Sequence, residues 1–296
     1  MTDEKKINSL IYLLEDPDEE IYGEVKNNLL SMGEVIIPKL EYAAKFSENI
    51  SVQRRLEEIL HTLHFTQIVA AFTNWAEKPQ HSLAEGLAII CSTYFHQLDS
   101  KRFISDLQLL KKEIWLELSH QYLPNKSILQ FNKVFFQQRQ FSIAEMPCET
   151  KYCFINELLY SKKGHPLALS LLYGLQAALL DMPMYMIAFP EEIILLAFTE
   201  QSFLPERPEN AFGNSLDFFI NPAQSGAIGN QAGIESFLRK NNFDSDIYSY
   251  PILCYAGAIK IYLQFLKHHF SINADLVRAN DMDVLQNILV SFHPNV

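Results

Sequence analysis

The side chains that could do chemistry gather between residues 148 and 192. Two thiols, Cys148 and Cys153, precede His165, and the pair Glu191-Glu192 follows a little further on. A thiol beside an imidazole is the pattern of nucleophilic catalysis, in which the thiolate attacks and the imidazole carries the proton. His165 with two carboxylates would suit acid–base work or a metal instead. Residue types alone complete neither set. A free cysteine is usually a small buried hydrophobe. Adjacent glutamates on a strand point to opposite faces, and two carboxylates with one histidine fall short of most structural zinc sites. Elsewhere, His61 and His64 share a helix face with no acidic third ligand at matching spacing. The pair His268-His269 suits the surface near a helix C-terminus, where it favours the dipole. "SGAIG" and "GNQAG" supply glycines, but no Gly-x-x-x-x-Gly-Lys-Ser/Thr run follows, so phosphate binding is unsupported. No metal and no cofactor is expected.

These residues depend on the elements around them. "KKGHPLALSLLYGLQAALL" reads as a glycine stop followed by a helix that is apolar nearly all round, so it should be buried on most sides. Pro166 suits the first helical position, where its missing N–H costs nothing. "MYMIAF" (184–189), "IILLAF" (193–198) and "LDFFIN" (216–221) read as strands, with Pro190, Glu191 and Glu192 separating the first two. A polar, proline-containing loop is expected between about 199 and 215. Consecutive strands with short links favour antiparallel pairing. The fold class is α+β: a central buried helix on an antiparallel sheet, flanked by N- and C-terminal helices.

The first 78 residues read as helical throughout. Ile21, Val25, Leu29 and Met32 draw one apolar stripe, and the same spacing returns as Val52, Leu56, Leu60 and Leu63. An apolar helix, an acidic turn and a second helix, repeated, resemble a short HEAT-like array; an unrelated small bundle is the alternative. "EKPQH" (77–81) is the linker candidate, and Ser82 with Glu85 forms a capping box just after it. Helices are expected near 100–121 and 126–139, with loss of helical period from Gln140 to Thr150. The expected domains are 1–78, 79–250, and C-terminal helices over 251–296.

Composition narrows the function classes. The chain has 296 residues, is 48% hydrophobic and carries a net charge of −11, which opposes nucleic acid or an anionic membrane as partner. Its four cysteines do not make a disulfide framework. The start "MTDEKKINSL" lacks the apolar core of a secretory signal, and no run approaches the roughly 18 apolar residues of a membrane span. A cytoplasmic protein with reduced thiols is expected.

"FINELLYSKKGHPLALSLLYGLQAALLDMPMYMIAFP", with "FFINP" further on, resembles the SirB branch of the transglutaminase-like superfamily. The resemblance covers about residues 82–240, including "LQFNKVFFQQRQF", and rests on the order and spacing of short motifs: a Lys-Gly-x-Pro helix entry, a proline after the first strand, and Asn-Pro after the third. It implies a cysteine-protease-like core. Catalytic members carry a cysteine at the start of the central helix, a histidine on a following strand and an aspartate on the next. The helix start lowers the thiol pKa, and the aspartate orients the imidazole. Position by position, the cysteine slot falls at Pro166, or at His165 or Leu167 with a shift of one. The histidine slot falls at Glu192, or Glu191 if shifted, and the aspartate slot at Asn221. None of the three residue types is present at its slot.

Three functions follow as expectations. The first is a non-catalytic transglutaminase-like protein that serves as a protein-interaction or scaffold module, with a protein partner and neither nucleic acid nor membrane. The second is a thiol-dependent hydrolase or acyl transferase with relocated groups, using Cys148 or Cys153 with His165. The third is a small-ligand binding protein that uses the vestigial cleft.

Overall fold

The computed structural model describes residues 2–118, 124–191, 193–198, 218–244 and 250–294. The chain divides into two compact units, Met1–Ala71 and Phe72–Val296. Among the described residues no helix is long and apolar enough to cross a membrane.

The first unit holds helices α1 (Thr2–Leu13), α2 (Glu19–Ser31) and α3 (Ile37–Phe46) and most of α4 (Ile50–Ala76). Asp18 caps α2 by accepting a hydrogen bond from the Glu20 N–H at 2.8 Å, and the acidic first turn complements the helix dipole. Gly33, with φ +70°, follows the last turn of α2 and turns the chain. Val25, Leu29, Val52, Leu56 and Leu63 lie in one core with Leu10, Leu14, Leu40 and Ile59, while Ile21, Met32 and Leu60 pack at its margin. Arg55 is buried within this unit. Its guanidinium donates to the carbonyls of Leu14 (2.9 Å) and Asp16 (2.6 Å) and pairs with Glu19 at 2.8 Å, bracing the turn between α1 and α2. It also stacks 4.4 Å from the ring of Tyr22.

In the second unit, Ser82 caps α5 (Leu83–Ser92) by accepting from the Glu85 N–H, while the Glu85 carboxylate pairs with Lys78. Helix α6 (Ser100–Leu118) follows, and α7 (Pro124–Asn132) runs on into a π-helical turn, Lys133–Gln138. A two-residue parallel ladder joins β1 (Ser142–Ile143) to β2 (Lys163–Gly164) across α8 (Ile155–Ser161). Helix α9 (Pro166–Leu179) is buried from Leu167 to Ala177.

The sheet has the order β3 (Met184–Phe189), β4 (Ile193–Phe198), β5 (Phe218–Asn221), β6 (Ala227–Gly229), antiparallel throughout. The fourth strand lies within "SGAIG", a stretch that the sequence marked only by its glycines. It is three residues long and largely exposed, so it has no apolar alternation to reveal it. The expected 199–215 loop and residues 216–217 of the third strand lie outside the described residues. Alternation divides the sheet between two faces. Ile187, Leu195, Ala197 and Phe219 pack with Ile234 and Leu238 of α10 (Gln231–Lys240), while Met186 and Leu196 meet α9. Residues 251–253 run beside β3, with Leu253 donating to the Met186 carbonyl at 2.8 Å, and lead into α11 (Tyr255–Ile272) and α12 (Leu276–Phe292).

The absence of a side chain at Gly174 sets how closely α9 sits on the sheet. A Cβ there would lie 2.8 Å from the Met186 sulfur and 3.7 Å from Leu196. Because a flexible methionine takes up most of the overlap, Gly174→Ala is expected to cost only about 1–2 kcal/mol in urea denaturation, against a larger cost for a rigid neighbour.

Candidate functional site

The start of α9 is occupied by the chain's own groups. His165 is the N-cap, in extended conformation, and its Nδ1 accepts the Leu167 N–H at 3.2 Å. Pro166 follows at the first helical position and has no N–H to offer. A thiolate at this point would draw on the unpaired N–H groups of the first turn. Here one is chemically missing and the next is held by an imidazole lone pair. Because Nδ1 accepts, the proton of the neutral ring sits on Nε2.

Helix α11 roofs this entry. The Phe265 ring lies 4.4 Å from the His165 ring, centroid to centroid. On the same helix, the Tyr262 hydroxyl donates to the Cys153 carbonyl at 3.0 Å, and His269 Nε2 lies 3.1 Å from Thr150 Oγ1. The His165 N–H donates to the Tyr152 carbonyl at 2.8 Å. The segment 150–153 is thus pinned between the helix entry and α11. Burial, reinforced by the nearby His269, pushes the His165 imidazole down to about 4, so it is neutral near pH 7.

The thiols do not acquire the character of a nucleophile. Cys153 is buried, and Cys148 is partly exposed. Their side chains contact each other, and burial raises both, Cys153 far above the ordinary thiol range. Cys91 is also buried and is pushed up to about 11. Cys254 is the cysteine that does stand at a helix start: it caps α11, with its sulfur 3.4 Å from the Gly257 nitrogen.

The other slots lie on the sheet. Glu191 is exposed in the turn after β3, with φ +59°, and Glu192 lies outside the described residues. Asn221 ends β5, paired with Ala227, and its carbonyl accepts the Gly226 N–H at 3.0 Å. The chain folds back after α9, and Gly174 of that helix abuts Met186 of β3 and Leu196 of β4.

A polar clamp that the sequence reading missed fixes the loop beyond Asn221. The buried Tyr173 of α9 donates its hydroxyl to Asn132 Oδ1 at 2.9 Å, and Asn132 Nδ2 donates to the Gly226 carbonyl at 2.8 Å. Burial raises the Tyr173 phenol well above its ordinary value, which keeps it a donor. One carboxamide therefore ties α7, α9 and the β5–β6 turn together. The sequence signal was faint: an asparagine inside the apolar run "LQFNKVFF", where helix propensity gives no reason for one.

In α4, His64 Nε2 lies 3.7 Å from Glu41 of α3, an acidic neighbour that spacing along one helix could not reveal. Among the described residues, no group of three or more His, Cys, Asp or Glu side chains could hold a metal ion.

A family model described as the transglutaminase-like superfamily matches residues 101–250, just over half of the chain. No curated protein and no solved structure matches. The matched span takes in the buried α9, the hairpin after it and the β5–β6 turn, and on that match the chain belongs to the transglutaminase-like superfamily.

Proposed function

We propose that the chain is a non-catalytic member of this superfamily, of the SirB branch, with a HEAT-like N-terminal region. It acts as a protein-interaction or scaffold module in the cytoplasm. The observation that carries this reading is the helix entry. The space over the first turn of α9 holds His165, Pro166 and Phe265, and the Leu167 N–H is spent on an imidazole. A nucleophile would need that N–H and that space, and a small ligand would need a concavity there.

The N-terminal unit supports a partner-binding role. Tyr42 and Phe46 form an exposed ring pair on α3, 4.6 Å apart, and Val35 and Ile50 are exposed in the same unit. The relocated-thiol alternative draws little support, since Cys148 and Cys153 contact each other and burial holds both protonated.

Assays of ester hydrolysis and of acyl transfer to an amine test the reading. The purified protein is expected to give the same background rate as His165→Asn, a variant that retains a capping side chain. Turnover in the wild type that is lost in the variant would overturn it.

A further inference from the structure

We propose that the outer face of α6 is a docking surface for an amphipathic helix of a protein partner, one that carries acidic side chains beside its apolar stripe. Buried Phe103, Leu107, Leu110 and Ile114 fix which side of α6 meets the core. With that side settled, the helical period turns Arg102, Leu109 and Leu116 outward at every seventh position, with Lys101, Lys112 and Trp115 beside them. Leu109, Trp115 and Leu116 are 54%, 56% and 56% exposed. A run of large apolar side chains left in water along one helix face is the mark of a binding surface, and tryptophan is the side chain most often found as its anchor. Side chains that recur at this spacing form a ridge along which a second helix can lie.

Charge states the chemistry of the partner. The acids of α6 are already engaged: Glu113 pairs with Arg139, and Glu117 pairs with Lys133 at 3.1 Å. Asp106 stands to the side of the stripe, within electrostatic reach of Lys162. Asp99, just before the helix, spends its Oδ1 on the N–H groups of Lys101 and Arg102, at 2.9 and 3.1 Å. Lys101, Arg102 and Lys112, by contrast, enter no ion pair among the described residues. The stripe is therefore apolar and cationic in a chain whose net charge is −11. That overall negative field opposes a long polyanion or an anionic membrane, whereas a short acidic helix meets this one face at close range. Glutamates beside the partner's apolar stripe would give the three cations the counter-charges they lack.

This surface presupposes the reading of the chain as an interaction module, and the two fail separately. Absence of peptide binding strikes the α6 surface alone, while turnover that is lost in His165→Asn strikes that reading.

The test uses two synthetic helical peptides with the same leucine face, one flanked by glutamates and the other by lysines. Each is titrated into the full chain labelled with 15N-tryptophan. The chain has two tryptophans, and Trp75 is buried, so its indole is an internal reference. The acidic peptide is expected to shift the Trp115 indole N–H saturably and to leave Trp75 in place, and the basic peptide to bind at least about tenfold more weakly. Lys101→Glu combined with Lys112→Glu should weaken the acidic peptide by about tenfold, and Trp115→Ala, read by the anisotropy of a labelled peptide, by about tenfold or more. Lys240→Glu, at an exposed position at the end of α10, should leave binding unchanged. Should a variant unfold, the wild-type spectra decide. No shift at Trp115, or equal binding of the two peptides, would overturn the proposal. A Trp115 shift with phosphatidylserine vesicles but not with the acidic peptide, or burial of Trp115 by self-association of the chain without peptide, would also overturn it.

Discussion

Gly226→Ala is expected to destabilise the second unit by about 3 kcal/mol, the sum of a left-handed backbone penalty and an overpacking cost. Gly226 has φ +72°, and a Cβ there would overlap the Asn132 carboxamide. Neither problem can relax without cost. The carboxamide is held on both sides, by the Tyr173 hydroxyl and the Gly226 carbonyl, so moving it breaks the clamp. Asn132→Ala removes the obstacle but strands those two groups, at about 2–3 kcal/mol. The double variant should therefore lose clearly less than the two single losses added together, because the overlap is counted only once. Urea denaturation of the three variants measures this. A loss in Gly226→Ala of about 0.5 kcal/mol or less, the range of an ordinary surface substitution, would mean that the clamp does not hold the turn.

Acidification should carry a comparable effect through His165. Its folded-state value is depressed to about 4 from the ordinary 6.5, so below pH 6.5 the unfolded chain binds the proton more readily. The sign follows: the stability is fully present above about pH 6.5 and is lost as pH falls toward 4, by up to about 3 kcal/mol. Burial lowers His269, His64 and His81 in the same direction, so each adds to the loss of stability as pH falls below 6.5. His165→Asn keeps a helix cap and removes one titrating ring. Stability of wild type and variant, measured by denaturant unfolding from pH 7 to pH 4, should diverge, with the variant the flatter of the two. Identical pH slopes would show that His165 is not held neutral by its surroundings.

Much of this architecture was legible because apolar spacing reports burial directly. The stripes Val25–Leu29 and Val52–Leu56–Leu63 face one core, and the all-round apolar run after Pro166 is a buried helix. The hairpin of β3 and β4 was readable from two apolar hexapeptides and a proline turn. β6 was not, because it is held by pairing with β5 and not by its own side chains.

At the site, residue types told which groups were present but not what they touched. The packing of Phe265 over His165 is tertiary, joining residues that sequence spacing cannot relate. Asn132 was legible only as an oddity inside an apolar helix, since its partners lie 41 and 94 residues away.

The central claim is that the helix entry carries no activated thiol. It is tested most directly by treating the native protein at pH 7 with an electrophilic acyl donor or iodoacetamide and mapping the adducts by mass spectrometry. Cys91 and Cys153 are expected to remain unmodified while the fold is intact, Cys148 to react no faster than in unfolded protein, and His165→Asn to change none of these rates. A rapid, stoichiometric adduct on Cys148 or Cys153 that disappears in His165→Asn would contradict it.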